Sequence, residues 1–170
     1  SRAERMTFRR EVQAIFQDPF EVYNPFYKID HALTMPIESF EPNIPKAQAR
    51  NMIENVLGTV GLRPDETLGR YPHQLSGGQR QRVMVARALL LNPSIIVADE
   101  PVSMVDASLR ATILESLLKA HVELGASLIY ITHDLTTAYH VSKSILMLYH
   151  GTMVELGNVD KVIKVPKNPF

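Results

Sequence analysis

Two short apolar runs, residues 94–98 (Ser-Ile-Ile-Val-Ala) and 127–132 (Ser-Leu-Ile-Tyr-Ile-Thr), flank one amphipathic helix, and this arrangement constrains the fold more than any other feature of the chain. Runs of this length, rich in β-branched residues and without polar alternation, suit strands buried on both faces. The helix between them is predicted over 108–124 from Leu109, Ile113, Leu114, Leu117 and Leu118, with Gly125 closing it. A strand-helix-strand crossover joins parallel strands with right-handed sense. The chain is therefore expected to be α/β with a parallel sheet. A third run, 12–16 (Val-Gln-Ala-Ile-Phe), reads as a short strand that ends at Gln17-Asp18-Pro19, because proline cannot continue a ladder.

The intervening segments are less regular. Pro25, Pro36, Pro42 and Pro45 fall among aromatic residues, so 20–45 is expected to be irregular loop and short helix rather than sheet. Ala49, Met52, Ile53, Val56, Leu57 and Val60 then recur at helical spacing and Gly61 closes that helix. Residues 75–82 lead into a helix that stops before Asn92-Pro93, which puts Gly77 and Gly78 at a helix N-terminus. His133 follows the last parallel strand and Asp134 caps the next helix. Residues 144–149 and 152–156 flank Gly151 as a terminal hairpin, and the tail from Pro166 to Phe170 carries no cap or polar stop. No internal repeat is present.

Composition narrows the function classes. Eighteen Lys and Arg balance eighteen Asp and Glu, which argues against a nucleic-acid-binding domain built on a global basic field. No stretch approaches the roughly 18 apolar residues that a spanning helix needs, and the start lacks the apolar core of a signal peptide. A soluble chain is expected, with any membrane contact peripheral. The absence of cysteine excludes disulfides, thiolate metal sites and a Cys nucleophile, and suits a reducing cytosol. The first residue is Ser, so residue 1 is not expected to be a natural start.

Three groups of residues carry chemistry. Leu75-Ser76-Gly77-Gly78-Gln79 offers unhindered amides at a helix N-terminus, which suits a phosphate or other anion; a Gly-rich turn that merely starts a helix is the competing reading. Asp99 and Glu100 leave the end of a strand, where one carboxylate could hold Mg²⁺ while the other polarises a water. A helix cap or an ion pair is the alternative for an isolated pair. His133 could hydrogen-bond a γ-phosphate, or be a surface or satisfied core residue. The other histidines, His31, His73, His121, His140 and His150, lack metal-ligand spacing, and Arg80, Arg82 and Arg87 are expected to form ion pairs on their helix.

Together these motifs resemble the ATP-binding cassette (ABC) ATPases. Residues 75–79 are identical to the signature sequence of that family, and Ile95-Ile96-Val97-Ala98-Asp99-Glu100 resembles its Walker B strand. His133 is similar to the switch histidine, Gln17-Asp18-Pro19 to the glutamine loop that connects to the membrane partner, and Ser103-Met104-Val105-Asp106 to the D-loop. Phe16-Gln17-Asp18-Pro19 with Asn24-Pro25, and Arg70-Tyr71-Pro72-His73 before the signature, look like the oligopeptide and dipeptide importer branch, which metal and opine importers share. Phe26 departs from that branch, where a basic residue is common.

The resemblance implies a P-loop NTPase-like fold: a partial parallel sheet flanked by helices plus a helical subdomain. It divides the chain into a core strand and glutamine loop (1–18), a helical subdomain with the signature (19–92), and the C-terminal half of the ATPase core (93–170). It further implies ATP and Mg²⁺ as ligands, with Glu100, His133 and Gln17 catalytic, Asp99 and Gln17 on the metal, and Ser76, Gly77, Gly78, Gln79 and Asp106 binding ATP. Implied partners are a second ATPase subunit packed head to tail, transmembrane permease subunits and, indirectly, an extracellular solute-binding protein, with no nucleic acid. The place is the cytoplasmic face of the membrane.

One family element has no counterpart in the sequence, the phosphate loop Gly-x-x-x-x-Gly-Lys-Ser/Thr that cradles the β- and γ-phosphates. The family places it before the glutamine loop, so the expectation is an incomplete portion of an importer ATPase, inactive and weak in ATP binding by itself. Apolar surface on the strands 95–97 and 128–131 is expected to be uncovered and to drive self-association. The alternative is a non-catalytic partner that lends its signature to another subunit's nucleotide, but such a protein has no use for Glu100, His133 and Gln17. A family member acting on DNA or in translation is disfavoured by the neutral charge.

Overall fold

Pro19 and Pro101 each interrupt the chain soon after a strand, and the two strands they follow lie side by side in the computed structural model, which describes residues 1–167. Strand β1 (Val12–Ile15) pairs in parallel with β2 (Ile95–Asp99), with Val12 opposite Ile95 and Ile15 opposite Ala98. The third strand, β3 (Ser127–Ile131), is the other neighbour of β2, where the Ser127 N–H donates to the Ser94 carbonyl at 2.8 Å. The parallel α/β sheet expected from the sequence is thus present, with β2 at its centre. Asn168, Pro169 and Phe170, the end of the uncapped tail, lie outside the described residues.

The chain divides into two compact units, Ser1–Ile129 and a second from Tyr130 onward. In the first, helix α1 (Arg2–Glu11) precedes β1; Ser1 and Glu4 form a reciprocal cap, and no residue of α1 is buried. Short α2 (Pro19–Val22) follows β1, and α3 (Ile29–Phe40) runs twelve residues through Pro36. Where irregular loop and short helix are expected across 20–45, the helical part is longer than expected and runs through Pro36. Ile29, Leu33, Pro36 and Ile37 repeat at i, i+4, i+7 and i+8 and all are buried, so the burial of one face outweighs the hydrogen bond that Pro36 cannot donate.

Helix α4 (Lys46–Thr59) buries Ile53 and Leu57, α5 (Pro64–Thr67) is a single turn, and a 3₁₀ turn (Pro72–Gln74) leads to α6 (Gly77–Leu89). Eight residues of α6 are buried, from Gln81 to Ala86 and then Ala88 and Leu89, because α2, α3, α4 and β1 all pack on it. Helix α7 (Ala107–Leu124) ends at Gly125, as expected, and buries Ile113, Ser116, Leu117 and Ala120.

In the second unit, α8 (Leu135–Val141) starts at Asp134, whose Oδ1 accepts from the Thr136 N–H at 2.8 Å. Strands β4 (Ser144–Tyr149) and β5 (Thr152–Asn158) form the expected hairpin. His150 (φ 46°) and Gly151 (φ 77°) both take positive φ in its two-residue turn, the geometry that matches strand twist. Helix α9 (Val159–Lys164) covers one face, with Val162 against Gly157. Tyr139 on α8 and Lys164 on α9 both reach Oδ1 of Asp160, at 2.8 and 2.7 Å, and these bonds, Lys164 first, hold the Asp160 carboxyl below its usual range. No helix among the described residues is long and apolar enough to cross a membrane.

Candidate functional site

The N-terminus of α6 is built by its own side chains. Ser76 is extended (φ −64°, ψ 162°); its Oγ accepts from the Gln79 N–H at 3.1 Å, and Gln79 Oε1 accepts from the Ser76 N–H at 2.9 Å. This reciprocal box fixes the first turn while the amides of Gly77 and Gly78, the first two of the helix, have no intrahelical acceptor to point at. Both glycines are closely flanked. A Cβ on Gly77 would lie 3.7 Å from the ring of Phe20, and one on Gly78 would lie 3.5 Å from the Met104 carbonyl oxygen. The Gly-rich turn therefore sits between the segment after Gln17 and the segment 103–106.

Those two segments leave adjacent strands. Because Ile15 pairs with Ala98, Gln17 and Glu100 each stand two residues past the last pair of β1 and β2, at the carboxyl edge of the sheet where α/β ligand sites form. Asp18 caps α2 by accepting from the Phe20 N–H at 2.7 Å, which fixes the chain just after exposed Gln17. Glu100 has φ 46°, a left-handed conformation that a non-Gly residue adopts at a cost. That conformation breaks the alternation of the strand between Asp99 and Glu100. Its carbonyl oxygen is held by the N–H (3.1 Å) and the Oγ (2.9 Å) of Ser103. Asp106 is exposed and precedes α7 without a side-chain cap bond.

Of the three arginines expected to form ion pairs, Arg80 and Arg82 direct their guanidinium groups elsewhere. The Arg80 guanidinium stacks 3.7 Å over the Phe20 ring. Arg82, 8% exposed, donates to two backbone carbonyls, Gly61 at 2.7 Å and Gly78 at 3.3 Å. Burial lowers the Arg82 pKa and the Asp106 carboxylate opposes that shift. Buried Tyr23 donates to the Arg80 carbonyl at 3.0 Å; burial raises its phenol pKa well above the ordinary value, against the opposing charges of Arg87 and Arg80. Gln81 and Met84 contact the backbone of Phe16, a pairing with no signal in the signature sequence itself. Their signal is periodicity: Gln81 falls on the buried stripe with Met84, Val85 and Ala88.

His133 belongs to the second unit. It is exposed, between Thr132, whose Oγ1 accepts from the Asp134 N–H at 3.0 Å, and the cap of α8. His31, His73, His140 and His150 each pack on a neighbouring tyrosine ring, and His121 Nδ1 lies 2.8 Å from the Ala126 carbonyl oxygen. Among the described residues no group of three or more His, Asp or Glu could hold a metal by itself. Asp99, Glu100 and Gln17 offer oxygen donors at one sheet edge, which fits Mg²⁺ bound through one or two protein oxygens plus substrate phosphates.

A sequence profile described as ABC transporter matches residues 1–103. The chain is 40% identical over 162 residues to the oligopeptide transport ATP-binding protein OppF of Salmonella typhimurium, and 38% identical over 162 residues to the dipeptide transport ATP-binding protein DppF of Escherichia coli. Each alignment covers 95% of this chain and 48% of the relative, so the chain spans about half the length of the curated relatives it matches. Among solved structures, the ATP-binding cassette MJ0796 in a dimeric post-hydrolysis state with ADP and Pi superposes with a TM-score of 0.83 at 28% identity, covering 94% of this chain and 68% of that one.

Proposed function

The chain belongs to the ABC transporter family, and from that premise we propose that it serves in the ATP-hydrolysing subunit of an importer whose cargo is oligopeptides or dipeptides. The observation that carries this reading is the N-terminus of α6, where a Ser76–Gln79 box presents the Gly77 and Gly78 amides between the segments that follow Gln17 and Glu100. Its kinship with OppF and DppF supports peptide as the cargo.

In this reading Glu100 polarises the attacking water, and Asp99 and Gln17 are the residues that would hold Mg²⁺. Mg²⁺ held there would supply neutralisation of charge on the phosphates of the substrate ATP. His133 contacts the γ-phosphate, a role that rests on its likeness to the switch histidine. Ser76, Gly77, Gly78 and Gln79 act on ATP held by a second ATPase subunit packed head to tail, and Asp106 also binds ATP. Closure of that pair moves transmembrane permease subunits, and hydrolysis reopens it. The subunit works at the cytoplasmic face of the membrane and receives solute indirectly from an extracellular binding protein. Residues 1–18 carry the core strand and glutamine loop, 19–92 the helical subdomain, and 93–170 the C-terminal half of the core.

The 170 residues contain no phosphate loop, so this chain by itself binds Mg-ATP weakly and hydrolyses none. Calorimetry that returns micromolar affinity contradicts that statement. The cargo is tested by uptake of labelled dipeptide and oligopeptide in source cells whose natural gene carries Glu100→Gln. Uptake is expected to be abolished; unchanged peptide uptake beside a lost metal or opine uptake would move the assignment to another importer of the same branch.

A further inference from the structure

Helix α6 holds the peptide group that precedes Gln17. Gln81 Nε2 donates to the Phe16 carbonyl oxygen at 3.3 Å, and the Phe16 N–H donates to Sδ of Met84 at 3.4 Å. That carbonyl belongs to the peptide bond whose nitrogen is Gln17, so moving α6 moves the plane from which the Gln17 side chain departs. Gln81 and Met84 are three apart on one helical face and are 0% and 1% exposed.

Core packing alone does not require a glutamine here: its Nε2 serves the Phe16 carbonyl, but its other end has no partner among the described residues. Gln81 Oε1 is buried without a hydrogen-bond partner among the described residues, a cost that Met or Leu of similar volume would not incur. Gly77 and Gly78 begin the same helix, only three and four residues before Gln81.

We propose that Gln81 is a positioning residue that couples the Gly77–Gly78 end of α6 to the peptide of Gln17, so that displacement of one displaces the other. Its bearing on turnover rests on the reading that both ends contact nucleotide.

The coupling is read by nuclear magnetic resonance on the 170-residue chain. Ser76→Gly, a change at the start of α6 where Gly77 also lies beside the Phe20 ring, is expected to shift the Gln17 amide resonance, and in a Gln81→Met background that shift falls by about fivefold or more if it travels through Gln81 rather than through Phe20. Gln81→Leu repeats the test with a second apolar side chain should the methionine variant fold poorly. A Gln17 shift that persists in both backgrounds, or never occurs, overturns the proposal.

Turnover is read separately, as ATP hydrolysis in membrane vesicles from source cells whose natural gene carries Gln81→Met. The expected result is kcat lowered by about fivefold or more with KM for ATP little changed; an unchanged kcat overturns the positioning role. Gln17→Ala is the control. If it hydrolyses ATP like the wild type, the functional reading fails, while the resonance experiment still decides the coupling.

Discussion

Arg82 Nη1 donates to the carbonyl oxygen of Gly61 at 2.7 Å, joining the middle of α6 to the end of α4. A buried guanidinium spent on a backbone carbonyl ties the turn that ends α4 to α6. Arg82→Met is expected to cost about 1.5–3 kcal/mol, the range for a hydrogen bond to a charged group, as a lowered urea midpoint with an unchanged slope. Gly61→Ala is expected to cost about 1 kcal/mol or more, because Gly61 has φ +68° and an added Cβ would stand 3.4 Å from Thr112 Cγ2.

Ser76 does two things, and they separate by substitution. Ser76→Ala removes the acceptor for the Gln79 N–H and should cost about 1 kcal/mol, whereas Ser76→Gly should cost only a few tenths. Urea unfolding of both variants checks this. Equal losses would mean that the hydroxyl is not what caps α6.

The titration of Tyr23 sets an alkaline limit. Its pKa is raised in the folded state, so its contribution is fully present below the unfolded value of about 10 and is lost as pH rises through the folded value. Thermal midpoints are expected to fall as pH rises above about 10, and Tyr23→Phe is expected to flatten that fall. At neutral pH the same variant loses the bond to the Arg80 carbonyl, about 1 kcal/mol.

Exposed apolar surface is expected to make the chain self-associate. The sequence points to two parallel strands as the source of that surface: on β2 the alternation buries Ile96 and leaves Ile95 and Val97 half-exposed, on β3 Ile129 is 53% exposed, and the hairpin adds a further exposed apolar face. Leu146 pairs with Leu156 and Leu148 with Met153, so one hairpin face carries four exposed apolar side chains. Sedimentation is expected to show concentration-dependent association that Leu148→Lys with Leu156→Lys weakens. A clean monomer at high concentration contradicts it.

Periodic burial made α4, α6, α7 and the parallel strands readable in the sequence, and the His150-Gly151 turn needs little beyond local chemistry. Two kinds of feature were not readable. Helix α1 buries no residue and so leaves no apolar stripe, and α3 hides its stripe behind Pro36, which reads as a breaker until burial of its ring is known. At the site, Ser76, Gly77, Gly78, Asp99 and Glu100 stood out because side chains at strand ends and helix starts carry strong local signals. The contacts of Gln81, Met84 and Arg82 depend on backbone carbonyls and amides twenty-one to sixty-eight positions away, and a sequence does not reveal such pairings.

Glu100 is the residue on which water polarisation, and with it hydrolysis, depends in the proposed function. ATP hydrolysis measured in membrane vesicles from source cells whose natural gene carries Glu100→Gln is expected to fall by about 100-fold or more, as for loss of a general base, while ATP binding is retained. Hydrolysis at the wild-type rate in that variant would contradict the account.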